Sequence, residues 1–328
     1  MTNRRNLLAT LGACVCGLGM ASGVRAQSLA PVASPLPHLH IYIPGGAGGG
    51  WDQTGRALGT AIQDAGLAQS VTYENKGGKG GIIGLTDFVA RYDRDPAALL
   101  IGGMVMLGAI SLDHPKVNLT QVNPIARLAS DYMVLAVKAD SELNSTQALT
   151  KAMRSHFEGV TFTGGSAGGV DHVLAAMLAL QLRLNVGRLK YLPTSGGADA
   201  IALLHKGQAQ VAISGLSEFQ SEFDSKRLIP LAISSRNGLY GLPSLNEQGV
   251  RVDLSNWRGV YAPGQIDVAQ RENLHRIVVA ATKHPSWAQA LTKNKWSEAL
   301  LHGPDFANRL IIEQGMAEAM TLILQRKG

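Results

Sequence analysis

The residues of this 328-residue chain best suited to chemistry are glycines. The stretch "IPGGAGGGWDQTGR" (43–56) puts five glycines into the six positions from Gly45 to Gly50, between a run of strand character and one of helical character. Four similar stretches follow: "ENKGGKGGIIG", "IGGMVMLG", "TGGSAGGVDHV" and "PTSGGADA". Each falls where a strand gives way to a helix. Glycine there permits positive φ and lets a ligand approach the main chain closely. The unpaired N–H groups of a helix N-terminus attract anions. The chemistry implied is capture of a small anion by backbone. In the first and fourth stretches the glycines exceed what a turn requires, and Asp52 and Asp171 follow as helix-capping residues, so these two read as binding loops. The second and third read as structural turns.

Other chemistries fit less well. A dinucleotide fingerprint fails in both registers, since its last glycine would fall on Trp51 or Gln53, and Gly78-Lys79-Gly80 lacks the hydroxyl of a phosphate-binding loop. Gly164-Gly165-Ser166-Ala167-Gly168 matches the G-x-S-x-G nucleophile elbow, which leaves a serine hydrolase as the alternative, with Asp199 or Asp253 and His284 or His302 completing a triad. No HGGG-type oxyanion segment precedes it. His38 and His40 alternate on a strand and the other histidines are scattered, so no metal site and no cofactor is expected. No pair of carboxylates is spaced for acid–base work.

The elements that would position the loops alternate between short apolar strands and helices, the pattern of an α/β protein with a largely parallel sheet. Strands are expected at 39–43, 70–74, 98–102, 133–138, 159–164, 189–193, 209–214 and 228–234, and the C-terminal third turns helical. There Phe306, Leu310, Glu313, Met316, Met320 and Leu324 recur at three- to four-residue spacing. Turn formers near Asn123-Pro124 and after Ser234 mark two crossovers. They divide the chain into one lobe of residues 27–124 and 232–328 and another of 125–231, with a cleft between.

Residues 1–26 read as an export signal: Arg4 and Arg5, an uncharged run, then Val24-Arg25-Ala26, with cleavage after Ala26. The paired arginines leave the general secretory and twin-arginine routes both open, and Cys14 offers a lipoprotein site as a less fitting alternative. Both cysteines, Cys14 and Cys16, lie in this segment, so the exported protein has no disulfide. Losing Arg4, Arg5 and Arg25 takes the formal charge from +6 to +3. With no basic run of five or more, nucleic acid is not an expected partner. Few aromatics leave little surface for stacking sugars or quaternary amines.

The motifs "IPGGAGGGWDQTGRAL", "YENKGGKGGIIG", "GGMVMLGAI", "PIARL", "GGSAGGVDHVLA", "YLPTSGGADAIALLHKGQAQVAISGLSEF", "LAISS", "LPSLNEQGV" and "NWRGVYAPGQI" resemble, in order, those of the extracytoplasmic receptors of tripartite tricarboxylate transporters. The resemblance runs from about residue 39 to the C-terminus, and the "GGGWDQT" form of the first loop is similar to the citrate-type receptors. It implies a type II-like, two-lobed periplasmic binding protein, each lobe a mostly parallel sheet flanked by helices, closing on citrate or a related di- or tricarboxylate. Contacts implied in the first lobe are Gly46, Ala47, Gly48, Gly49, Gly50, Trp51 and Asp52, with Gly103 and Met104. In the second they are Ser166, Ala167, Gly168, Gly169 and His172, with Thr194, Ser195, Gly196, Gly197, Ser214, Gly215 and Ser217 along the far wall. The implied protein is a periplasmic monomer that catalyses nothing and hands its ligand to a membrane permease. A sensor presenting its closed form to a signalling partner shares the same chemistry.

Overall fold

The computed structural model describes residues 34–325. The expected signal segment 1–26 lies outside them. Strand β1 (Leu39–Ile43) leads through the first glycine loop into α1 (Gly50–Asp64), then β2 (Val71–Asn75), α2 (Ile82–Tyr92), β3 (Ala98–Gly103) and α3 (Met104–Asp113). The order β2-β1-β3 is parallel throughout. All six residues of β3 are buried, as expected of a strand covered by helices on both faces. Helix α1 lies unusually close to this sheet because of Gly55 and Gly59. A Cβ on Gly55 would sit 2.9 Å from Ile43 Cδ1, and one on Gly59 would collide with the Tyr73 hydroxyl. A glycine inside a helix costs about 1 kcal/mol, and here the close approach of helix to strand accounts for it.

The long strand β4 (Val122–Lys138) then changes partners part-way along. From Val122 to Tyr132 it pairs antiparallel with β9 (Ser255–Pro263), and over Ala126–Ser130 also with β10 (Ser297–His302). From Met133 onward it pairs antiparallel with β7 (Val211–Gly215) and β8 (Leu228–Ile233). The change falls well past Pro124. Proline is accommodated inside the strand because the register shifts between Pro124 and Ala126, a bulge where the missing N–H leaves no gap in the ladder.

Between β4 and β8 come α4 (Thr146–Ser155), β5 (Thr161–Gly164), α5 (Val170–Gln181), β6 (Lys190–Pro193), α6 (Gly197–His205), β7 and α7 (Leu216–Asp224), with β6-β5-β7 parallel. The chain returns at Ser234, whose hydroxyl donates to Leu254 O at 2.6 Å and accepts from Met133 N at 2.9 Å. Helices α8 (Val268–Ala281), α9 (Pro285–Asn294) and α10 (Gly303–Gln325) close the chain. The fold is thus mixed α/β: four strand pairings are parallel, and the five involving β4 or β9 are antiparallel.

The eight expected strands are present, and β9 and β10 are additions within the region read as helical. Helix α10 carries the pattern read from the sequence. Its one polar member, Glu313, is buried and accepts from Arg127 Nη1 at 3.2 Å and Arg309 Nε at 2.7 Å, whereas Met316 is exposed.

Candidate functional site

The glycine loops meet at one cavity of about 510 Å³. One wall is the loop after β1 (Pro44–Gly46 and Gly49–Trp51), the loop Gly77–Gly81 after β2, and Val105 of α3. The opposite wall comes from the strands on the far side of the β4 change: Gly165, Ser166 and Gly169–Asp171 after β5, Thr194–Gly196 after β6, and Ser214 with Glu218 around the start of α7. Asn256 and Arg258 of β9 complete it. The parallel strands bring their C-terminal ends here, the usual location of ligand crevices in open α/β sheets.

Two of the loops share a single construction. Gly48 has φ +79° and donates its N–H to Asp52 Oδ2 at 2.8 Å. Gly168 has φ +77° and donates to His172 Nδ1 at 3.1 Å. Gly49 N–H bonds Gly46 O at 3.2 Å, and Gly169 N–H bonds Ser166 O at 2.9 Å. Gly49 and Gly169 then cap α1 and α5 with nearly the same backbone, φ −72°, ψ 169° and φ −71°, ψ 173°. Positive φ at Gly48 and Gly168 turns the chain into each helix, and Gly49–Trp51 and Gly169–Asp171 at the two helix starts line the cavity.

Asp52 and His172 therefore shape the loops from behind. Burial acts to raise the Asp52 carboxyl, but hydrogen bonds from Arg56, Gly48 N–H and Asn75 outweigh it and hold the group below its ordinary value. Burial pushes His172 down to about 4, so the ring is neutral at physiological pH, with Nδ1 accepting from Gly168 and the proton on Nε2. Its ring stacks on Tyr191, 4.3 Å between centroids.

Of the residues singled out in the sequence, Gly46, Gly49, Gly50, Trp51, Ser166, Gly169, Thr194, Ser195, Gly196 and Ser214 line the cavity. Ala47, Gly48, Asp52, Gly103, Ala167, Gly168, His172, Gly197, Gly215 and Ser217 do not, and Met104 lines a separate hollow of about 220 Å³ beside α10. Several of these glycines have a packing role. A Cβ on Gly103 would strike Trp257 O, one on Gly197 would lie 2.7 Å from Glu218 Cβ, and one on Gly215 would lie 2.5 Å from Asp131 Oδ2.

The loop Gly77–Gly81, read as a structural turn, lines the cavity as well. It approaches that closely because Gly81 (φ +95°) lies on the Trp51 ring, where a Cβ would come within 2.7 Å, and Gly77 lies on the backbone of Gly45 and Gly46. Lys79, Asp171, Glu218, Asn256 and Arg258 were missed among the lining side chains. Asn256 and Arg258 are two apart on β9 and so share a face, a period-2 signal available in "NWRG" once that stretch is recognised as a strand.

These side chains give the cavity a mixed polarity. Arg258, 4% exposed, donates Nη2–H to Asp131 Oδ2 at 2.6 Å, and Asp131 is itself 2% exposed. The Asp131 carboxyl is raised by burial and by Glu218, and Arg258 beside it opposes that rise. Asp171 is pushed up to about 7, mainly by burial, against the lowering effect of the Gly165 N–H that it accepts at 2.6 Å. Glu218 accepts from the Ser214 hydroxyl, from Gly197 N–H at 3.2 Å and from Gly215 N–H at 3.3 Å. The starts of α6 and α7 thus already face the Glu218 carboxylate, whereas α1 and α5 have no side-chain cap.

The hydrolase triads read from the sequence are not assembled around Ser166. None of Asp199, Asp253, His284 and His302 lines the cavity. His284 accepts from Ser286 N–H at the start of α9, and His302 pairs with His275. Among the described residues no group of three or more His, Cys, Asp or Glu is arranged to hold a metal, and no helix is long and apolar enough to cross a membrane.

Residues 56–326 match the family model described as tripartite tricarboxylate transporter family receptor, so the chain belongs to that receptor family. It is 28% identical over 299 residues to a UPF0065 protein encoded in the tcbD-tcbE intergenic region of Pseudomonas sp. (strain P51), covering 88% of this chain and 84% of that protein. Its fold is similar to that of Rpa4515 from R. palustris with adipate (TM-score 0.77, 18% identity, 88% of this chain and 97% of the other). It is also similar to that of MatC from Rhodopseudomonas palustris with bound malate (TM-score 0.72, 17% identity, 87% and 98%). The family is one of solute-binding receptors, not an enzyme class.

Proposed function

We propose that this protein is an extracytoplasmic receptor that captures citrate or a related di- or tricarboxylate in the cavity and hands it to the permease of a tripartite tricarboxylate transporter. The observation that carries this reading is the convergence of α1 and α5, delivered by two matching glycine loops, on one cavity that also holds a guanidinium. The malate and adipate found with two proteins of similar fold support the ligand class.

The magnitudes are sufficient. A hydrogen bond to a charged group nets roughly 1.5–3 kcal/mol, and a partly buried helix terminus adds up to ~2. Six such bonds offset desolvation and closure and still leave the about −8 kcal/mol of a micromolar complex. Closure would be a hinge motion of two lobes about the Tyr132–Met133 point of β4 and the return at Ser234, with the bound anion favouring the closed form. Export by the 1–26 segment, periplasmic residence and a monomeric state belong to the same reading.

The test is a thermal-shift and calorimetric panel of citrate, tricarballylate, succinate, malate, aspartate, glutamate and terephthalate. At one hundred times its dissociation constant a ligand of the folded form adds about 2.7 kcal/mol of stability. A carboxylate that raises the melting temperature supports the reading, and a panel without any shift overturns it. An active-serine phosphonate should leave Ser166 unlabelled. A covalent adduct there would favour the hydrolase instead.

A further inference from the structure

The guanidinium of Arg258 is in an unusual position. Its Nη2 lies where a side chain on Gly50 would begin: a Cβ built on that glycine falls 2.5 Å from Nη2 and 2.9 Å from Cζ. Gly50 is the first residue of α1, so a cation is seated at the positive end of a 15-residue helix. That arrangement is unfavourable, since helices favour anions at their starts and cations at their ends. Asp131 balances the arginine, while the one acidic side chain in the first turn of α1, Asp52, is taken up by Gly48 N–H, Arg56 and Asn75.

The arginine is also incompletely satisfied. A guanidinium has five N–H donors. One goes to Asp131 and another reaches Thr54 Oγ1 only at 3.5 Å, while Nε is buried and has no partner among the described residues. The flat face is held by Trp296, with Cζ 4.6 Å from the ring centroid. Buried donors without acceptors are rare in native proteins because each carries a desolvation cost. A fixed, flat, underused guanidinium beside unpaired first-turn amides has the donor geometry of a carboxylate clamp.

We propose that Arg258 and the first-turn N–H groups of α1 form a dedicated subsite for one carboxylate of the ligand, with Asp131 positioning the guanidinium. This rests on the receptor reading and deepens it. The α5 side would hold the rest of the ligand by backbone alone, and Arg258 would set the requirement for a second carboxylate. Gly50 is then required for the space its missing side chain gives to the arginine, more than for flexibility.

The test uses citrate, malate and adipate, together with the monoamide of each, in which one carboxylate is a neutral carboxamide. Dissociation constants are measured by calorimetry for the wild type, for Arg258→Lys and for the double variant Arg258→Gln/Asp131→Asn, which removes both buried charges together. For each acid that the wild type binds, the double variant should lose roughly 10- to 100-fold. Its affinity for the monoamide the wild type tolerates best should stay within about threefold. Arg258→Lys should lose about tenfold for the acid because the planar fork is gone.

Equal losses for acid and monoamide, or unchanged affinity for the acid, overturn the subsite while leaving the receptor reading intact. Wild-type protein that binds none of these acids and none of the wider carboxylate panel overturns both. An arm free of folding effects is the arginine Nε–H spectrum of the wild-type protein, with the Arg258 signal assigned from its disappearance in Arg258→Lys. Titration with the bound acid should shift that signal and titration with its monoamide should not. A signal indifferent to the acid overturns the proposal.

Discussion

Asp52 and His172 hold the same position in two loops of matching construction: each accepts the N–H of a positive-φ glycine four residues earlier in the chain. One loop precedes α1 and the other α5, and both border one cavity. Different chemistries thus perform one structural task. The consequence for mutation is that neither side chain needs to touch a ligand to control its binding.

Asp52→Ala removes the acceptor for Gly48 N–H, Arg56 Nε and Asn75 Nδ2 at once. Hydrogen bonds to a charged group net roughly 1.5–3 kcal/mol, so urea denaturation should register a loss of about 2–3 kcal/mol. Ligand affinity should fall as well, because the loop after β1 loses its brace. Asp52→Asn retains an acceptor for Gly48 and should cost about 1 kcal/mol.

Stability should respond to pH in two opposing ways. His172 has its folded pKa depressed to about 4 from 6.5. Its contribution is present above pH 6.5 and is lost as pH falls towards 4, where protonation of Nδ1 removes the acceptor for Gly168. Asp171 has its folded pKa raised to about 7 from 3.8, so its contribution is complete below pH 3.8 and is lost as pH rises through 7. Thermal melts across pH 4–8 check both. Asp171→Asn should stabilise the protein at pH 8 by on the order of 2 kcal/mol and give no gain at pH 4. His172→Asn, which keeps an acceptor but cannot take a proton, should lessen the loss between pH 6.5 and 4.

The double variant Gly48→Val/Gly168→Val should abolish ligand binding and leave the fold intact. A Cβ on Gly48 meets nothing within 4 Å and one on Gly168 meets Leu112 Cδ2 at 3.0 Å, so the penalty is chiefly backbone strain at positive φ. That strain is about 1–2 kcal/mol at each site, small enough to relax by turning the loop and thereby re-aiming the amides. Circular dichroism should match the wild type while calorimetry records no binding. A variant that binds normally would exclude these loops from the site.

Ser234→Ala should affect both stability and closure. Its hydroxyl joins Met133 N of β4 to Leu254 O, the residue before β9. Removal leaves one buried donor and one acceptor unpaired, a loss of about 1–3 kcal/mol. Small-angle scattering should find a smaller ligand-induced compaction than in the wild type. Full compaction in the variant would exclude Ser234 from the hinge.

The site was legible in the sequence where its determinants are local. Strand and glycine turn lie close together around β1 and β5, and reading them as one unit places Gly46, Gly49, Gly50, Ser166 and Gly169 at the cavity, although the caps of α1 and α5 are Gly49 and Gly169 and not Asp52 and Asp171. Arg258 was not legible, because a charged residue between Trp257 and Gly259 carries no local sign that it will be buried. Its place follows from the pairing of β9 with β3 and β4, partners distant in sequence. Asp52 and His172 were recognised as important but assigned to the ligand, since side-chain direction at a helix start depends on the φ of the glycine before it. That Pro124 would lie inside a strand was not legible either, because the bulge that accommodates it depends on the facing strand.

Strand β4 is hydrogen-bonded along its whole length, first to β9 and β10 and then to β7 and β8. Neither group of strands can therefore unravel without stripping a partner from the other. The protein should melt in a single cooperative step, and a solute bound in the cavity should slow solvent exchange of amides on both sides of β4.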